Sequence, residues 1–165
     1  MARLKISYQT TELPPPFSYA MVLELEQTSD GLTVDYQREY LLRDTIPKEE
    51  IFEEGYTEND DIHWTGMLPA IWASHLSEIY EDTSLMNREP DNGNTLYIES
   101  NSSRGYAQDP SLWEYFFEEL FQAFLEKDGQ EAPFSMIITE KQNKNLVQAS
   151  FLNRELTINN HPVNW

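Results

Sequence analysis

The chain has 165 residues, with 29 acidic side chains against 11 basic ones and a formal net charge of −18. That balance argues against a nucleic-acid binder, whose phosphates are neutralised by Lys and Arg, and against docking on an anionic membrane. There is no cysteine, so disulfides, thiolate metal ligands and cysteine nucleophiles are excluded.

Aromatic residues make up 13% of the chain and hydrophobic residues 39%, too much large apolar surface for a disordered acidic polymer. The length fits a single globular domain spanning residues 1–165. Behind Met1-Ala2-Arg3-Leu4-Lys5 there is no long apolar run, and no stretch approaches the roughly 18 residues of a membrane span. The expectation is a cytoplasmic protein with no membrane partner.

Leu4, Ile6 and Tyr8 alternate with Arg3, Lys5 and Ser7, the period of a half-buried strand. Pro14-Pro15-Pro16 cannot donate to a ladder and reads as an extended connector. Phe17, Tyr19, Met21, Leu23 and Leu25 then alternate, as do Leu32, Val34, Tyr36 and Tyr40. Thr28-Ser29-Asp30-Gly31 joins the two runs into an antiparallel hairpin. Residues 44–55 carry a capping Asp44 or Thr45, Pro47 in a first turn and Gly55 at the exit, which predicts a short helix.

Ile62-His63-Trp64-Thr65 predicts a returning strand. Pro69 opens a helix to Glu81 with Ile71, Trp72, Leu76, Ile79 and Tyr80 as its apolar stripe. Residues 82–94 read as a polar loop, and Leu96-Tyr97-Ile98 as a strand. Asp109-Pro110 starts the most regular helix, with Trp113, Phe116, Phe117, Leu120 and Phe124 on one side. Glu114, Glu118, Gln122 and Glu126 lie on the other, and Asp128-Gly129 ends it. Hairpins follow around Gln142-Asn143-Lys144-Asn145 and Asn159-Asn160, with Pro162 marking an edge strand. Hairpins with helices inserted between them predict an α+β fold. Its core is a mainly antiparallel sheet, with two or three helices packed on one face.

No phosphate-binding glycine loop, nucleophile elbow or zinc helix is present. Asp91-Asn92-Gly93-Asn94 fails the calcium-loop spacing, since its glycine stands third where the sixth position is required. His75 and Glu78 share a helix face, and Asp61 and His63 share a strand face. A metal centre would need Asp61, His63 and His75 to converge. The bland alternative places them around the core as ordinary polar neighbours.

Glu49, Glu50, Glu53, Glu54, Glu58, Asp60 and Asp61 form the densest acidic run, with only Lys48 nearby. Such a run is either a solvated face or a patch that steers a basic protein. Trp64, Trp72, Trp113 and Trp165 are candidates for a sugar platform, although Trp72 and Trp113 fit core positions. The expected function is that of a soluble, non-catalytic interaction protein with an acidic surface, an inhibitor or immunity-like protein for a basic partner. No cofactor is expected. The alternatives are a metal-dependent hydrolase built on the Asp/His cluster and a small-ligand or carbohydrate-binding module.

Overall fold

The computed structural model describes residues 3–130, 134–139, 146–152, 155–159 and 161–163, with side chains through 130 and at 157–159 and 161. The chain divides into two compact units, 1–113 and 114–165. The fold is α+β, with antiparallel pairing throughout the described strands.

In the first unit, β1 (Arg3–Gln9), β2 (Tyr19–Gln27) and β3 (Leu32–Tyr40) form a meander. A 3-10 turn at Arg43–Thr45 and α1 (Lys48–Glu53) precede β4 (Ile62–Leu68) and α2 (Ala70–Glu81). Then come β5 (Leu85–Met86), β6 (Thr95–Ser100) and β7 (Arg104–Ala107). The strands pair in the order β4-β3-β2-β1-β6-β7-β5. The first strand of the chain therefore lies at the centre of the sheet.

The alternation in β1 explains why. Leu4, Ile6 and Tyr8 are almost wholly buried, while Lys5, Ser7 and Gln9 are exposed. Ile6 faces Leu23 on one side and Ile98 on the other, and Leu23 faces Tyr36. One face of the sheet is thus a continuous apolar row, stabilised by side-chain burial at roughly 25 cal/mol per Å². The turn between β2 and β3 closes with Thr28 N donating to Gly31 O at 2.9 Å. Gly31 has φ 151°, and a Cβ there would collide with the Leu68 carbonyl oxygen, so the position demands glycine.

Helix α2 lies on the apolar face. Trp72, Leu76 and Ile79 are buried, and Gln27 donates to Ala73 O at 2.8 Å and Ser77 Oγ at 2.7 Å. Ile71, expected in the apolar stripe, is instead 44% exposed, and Tyr80 is half-buried with its hydroxyl on Ser100 Oγ. The helix expected at 44–55 is split, because Pro47 forces Ile46 into the extended region. The loop expected at 82–94 contains β5, and β7 is a further strand. Both are too short to show a period, and Gly105 in β7 lets the Met86 carbonyl approach closely.

Helix α3 (Ser111–Lys127) begins in the first unit and continues in the second. Asp109 Oδ1 accepts from Ser111 N and Oγ at 2.9 and 2.7 Å, which caps it. Trp113, Phe116, Phe117, Leu120 and Phe124 are buried, as their spacing predicts. Gly129, with φ 69°, ends the segment.

The second unit then forms β8 (Phe134–Thr139), β9 (Leu146–Leu152), β10 (Glu155–Ile158) and β11 (His161–Val163), in the order β11-β10-β9-β8. Asn159 takes φ 51° in the last turn, and β11, with Pro162, is at an edge. Residues 142–145, Asn160 and Trp165 lie outside the described residues.

Candidate functional site

The chain between β3 and β4 carries the whole acidic run, and a buried cation organises it. Arg43 is only 7% exposed. Its Cζ stands 3.8 Å from the Tyr40 ring centroid and 4.8 Å from that of Tyr56. Its Nε donates to Pro16 O at 3.2 Å, and its Nη1 donates to Thr57 O at 2.8 Å and to the Asp60 carboxylate. Asp60 also accepts from Thr57 N at 2.8 Å and from Thr57 Oγ1 at 2.6 Å. Burial works to raise the Asp60 pKa, but the Thr57 and Arg43 donors outweigh it and hold the carboxyl below its ordinary value.

Aromatic rings pack around this clamp. Phe17 meets Tyr56 edge-on at 5.7 Å, Tyr56 lies 5.8 Å from Tyr40, and Tyr40 lies 6.2 Å from Tyr19. Arg38 reaches within 5.4 Å of the Tyr19 centroid and 5.3 Å of that of Tyr40. Burial pushes the Tyr36 hydroxyl up to about 12 and raises that of Tyr40 as well, so both phenols stay neutral at physiological pH. Sequence reasoning missed these arginines. The available signal was Arg43 itself, a cation set among Leu41, Leu42 and Ile46 in an otherwise acidic stretch.

The seven acids divide into two groups. Asp60 serves the clamp, Asp61 Oδ1 accepts from Tyr40 N at 2.9 Å, and Glu58 pairs with Lys48 at 2.5 Å. Glu49, Glu50, Glu53 and Glu54 are exposed on and just after α1. Between them Ile51 is buried and Phe52 is 54% exposed. Glu49 and Glu50 in the first turn suit the helix dipole. Glu53 and Glu54 at the other end oppose it, with no basic residue in the last turn.

The three candidate metal ligands go to different neighbours. His63 Nε2 meets Asp35 Oδ1 at 3.2 Å on the open face of the sheet, and His75 stands edge-on to Trp72 at 6.5 Å. Asp61 is held by the Tyr40 amide. Among the described residues no group of three or more His, Cys, Asp and Glu is placed to hold a metal ion, so Asp61, His63 and His75 do not assemble into one.

Of the tryptophans, Trp72 and Trp113 are core residues, and Trp113 Nε1 donates to Thr83 Oγ1 at 2.8 Å. Trp64 is half-buried and lays its ring over Gly66. Shallow depressions lie among the described residues. One is lined by Gln37, Arg38, Glu39, Asp61, Ile62 and His63, another by Arg3, Glu24, Leu25, Glu26, Thr33 and Asp35. Neither has an aromatic wall. Among the described residues no helix is long and apolar enough to cross a membrane.

No protein-family model matches the chain, and no curated protein or solved structure matches it either.

Proposed function

We propose that the chain is a soluble, cytoplasmic, non-catalytic interaction protein that binds a basic protein partner, in the manner of an inhibitor or immunity-like protein. The observation that carries this reading is the surface of α1. An exposed Phe52 stands among Glu49, Glu50, Glu53 and Glu54, next to a loop held by the buried Arg43 clamp. An exposed aromatic side chain with a charged rim fits the anatomy of a protein interface, where aromatic residues are enriched and the rim is polar. Two of those carboxylates sit where the helix dipole disfavours them. Of the seven acids in the run, these four remain available to a partner.

The test is a pulldown from source lysate at low and high salt. The baits are the wild-type chain, a Glu49→Lys, Glu50→Lys, Glu53→Lys, Glu54→Lys variant, and Phe52→Ser. A basic protein retained by wild type at low salt, lost on charge reversal and weakened by Phe52→Ser is the expected result. Retention of the same partners by all three baits would remove α1 from consideration.

A further inference from the structure

The connection between β5 and β6 holds the single Asn-Gly pair of the chain, Asn92-Gly93. An asparagine side-chain amide lies within one five-membered ring of the next residue's backbone nitrogen, so the two groups can react within one chain. A bulky following side chain, a hydrogen bond that engages that nitrogen, or packing that holds the asparagine still will each block the reaction. None of these operates at Asn92. Gly93 has no side chain, and beyond its chain neighbours no atom lies within 4 Å of where its Cβ would stand. Asn92 is exposed, and neither its side chain nor the Gly93 amide has a hydrogen-bond partner among the described residues. The pair is anchored only at its flanks, where Thr11 Oγ1 donates to the Gly93 carbonyl at 2.5 Å and Arg88 pairs with Asp91 at 2.5 Å.

Other described asparagines are obstructed. Asn59 Oδ1 accepts from Asp61 N at 3.1 Å. Asn87 is followed by the long side chain of Arg88. Asn94 Oδ1 accepts from Thr11 N at 3.3 Å, and the β-branched Thr95 after it pairs opposite Gln9 in the sheet. After Asn101, the Ser102 amide donates to Ser100 Oγ at 3.3 Å.

We propose that Asn92 is a self-modification site, which deamidates through a cyclic imide closed by Gly93. The Gly93 nitrogen, having lost its proton to solvent base, attacks Asn92 Cγ. A nitrogen–carbon bond forms, the bond from Cγ to the side-chain nitrogen breaks, and that nitrogen takes a proton and leaves as ammonia. Water then opens the imide at either carbonyl. Opening at Cγ gives aspartate, and opening at the main-chain carbonyl gives isoaspartate, in which the chain runs through Cβ and Cγ. Either product adds one negative charge beside Glu89 and Asp91. Isoaspartate also inserts a carbon into the main chain just ahead of the carbonyl that Thr11 holds.

The test holds the full-length protein at mildly alkaline pH, well below its melting temperature, and follows each asparagine peptide by mass spectrometry. Methyl transfer from labelled S-adenosylmethionine, by an isoaspartyl carboxyl methyltransferase, measures the isoaspartate in the peptide carrying residue 92. Deamidation at Asn92 should outpace that at Asn87 and Asn101 by about tenfold. The rate in the folded protein should lie within about threefold of that in urea, because a loop that opens at almost no cost reacts as an unfolded one does. Asn92→Gln, whose longer arm must close a six-membered ring, should abolish methyl acceptance at that peptide. Asn92→Asp should focus at the same position as the aged wild-type protein. An Asn92 peptide that stays unmodified, equal or faster reaction at Asn101, or a folded rate more than about tenfold below that in urea would each overturn the proposal.

Discussion

Arg43 and Asp60 form a buried-to-surface ion pair across seventeen residues of sequence, and that pair, with Thr57, shapes the loop carrying the acidic surface. The guanidinium is the buried partner, with its side chain 6% exposed against 28% for Asp60. Removing the acid should therefore cost more than its surface position suggests, because it leaves a buried guanidinium with the Pro16 and Thr57 carbonyls and two ring faces but no counter-charge. We expect Asp60→Ala to lose about 3 kcal/mol. Arg43→Met should lose less, since a thioether side chain can fill the space between Tyr40 and Tyr56, and the carboxylate that loses its cation is the more exposed partner and still accepts from Thr57 N and Oγ1. The double variant should fall well short of the summed losses. Urea denaturation of the four proteins, followed by tryptophan fluorescence, checks this.

Glu53 and Glu54 make the opposite prediction. Replacing them with Lys puts the favourable sign at the C-terminal end of α1 and relieves part of the net charge. The variant should gain roughly a few tenths of a kcal/mol per site while losing the basic partner. Thermal denaturation run beside the pulldown measures both. A variant less stable than wild type would mean that these carboxylates have favourable contacts within the chain.

The core gives a sharper contrast. Ile6 is fully buried in the central strand between Leu23 and Ile98, so Ile6→Ala should cost about 3–4 kcal/mol. Ile71→Ala, at a 44% exposed position on α2, should cost less than about 0.5 kcal/mol. Gly31→Ala combines a strained φ with a Cβ aimed at the Leu68 carbonyl, and it should cost roughly 2–4 kcal/mol. Equilibrium denaturation of the three variants separates these positions.

What the chain revealed in advance follows the length of its elements. The period of two in β1, β2 and β3 and the helical stripe of α3 are sustained over seven residues or more, and there burial agrees with expectation. β5 and β7, at two and four residues, have no period to read, and their pairing depends on Gly105 meeting a distant backbone. Ile71 misled because helix periodicity fixes spacing but not the width of the buried stripe. The site was half legible. The acidic run is visible as a string of letters, but which acids are consumed by Arg43, Tyr40 and Lys48 is a tertiary fact.

The excess of acid also predicts a salt response. At neutral pH a net charge of −18 destabilises the compact state through self-repulsion, and added electrolyte screens exposed charges more than about 10 Å apart at 0.1 M. Among the described residues the short exposed pairs, Arg3 and Lys5 on Glu24, Lys48 on Glu58 and Arg88 on Asp91, are too few to reverse that. The melting temperature should rise from low to moderate salt. A flat series would indicate that the carboxylates are already far apart or paired.

Acid should act in the opposite direction at a small number of groups. Glu24 is held below its ordinary pKa first by the Arg3 hydrogen bond and then by that of Lys5, Asp109 by the Ser111 hydroxyl and amide, and Asp60 by Thr57 and Arg43 against the effect of burial. A carboxyl whose folded pKa lies below its unfolded value binds fewer protons folded than unfolded. Its stabilisation is therefore fully present above the unfolded pKa and is lost as pH falls through the folded one. With ordinary carboxyl values near about 4, the loss should begin below about pH 4. Asp60→Asn isolates the clamp. The stability difference between wild type and Asp60→Asn should be constant from neutral pH down to about pH 5 and should shrink steadily below about pH 4. A difference that persists unchanged into that acid range would mean that the charge on Asp60 contributes nothing to holding Arg43, and that the oxygen atoms alone suffice.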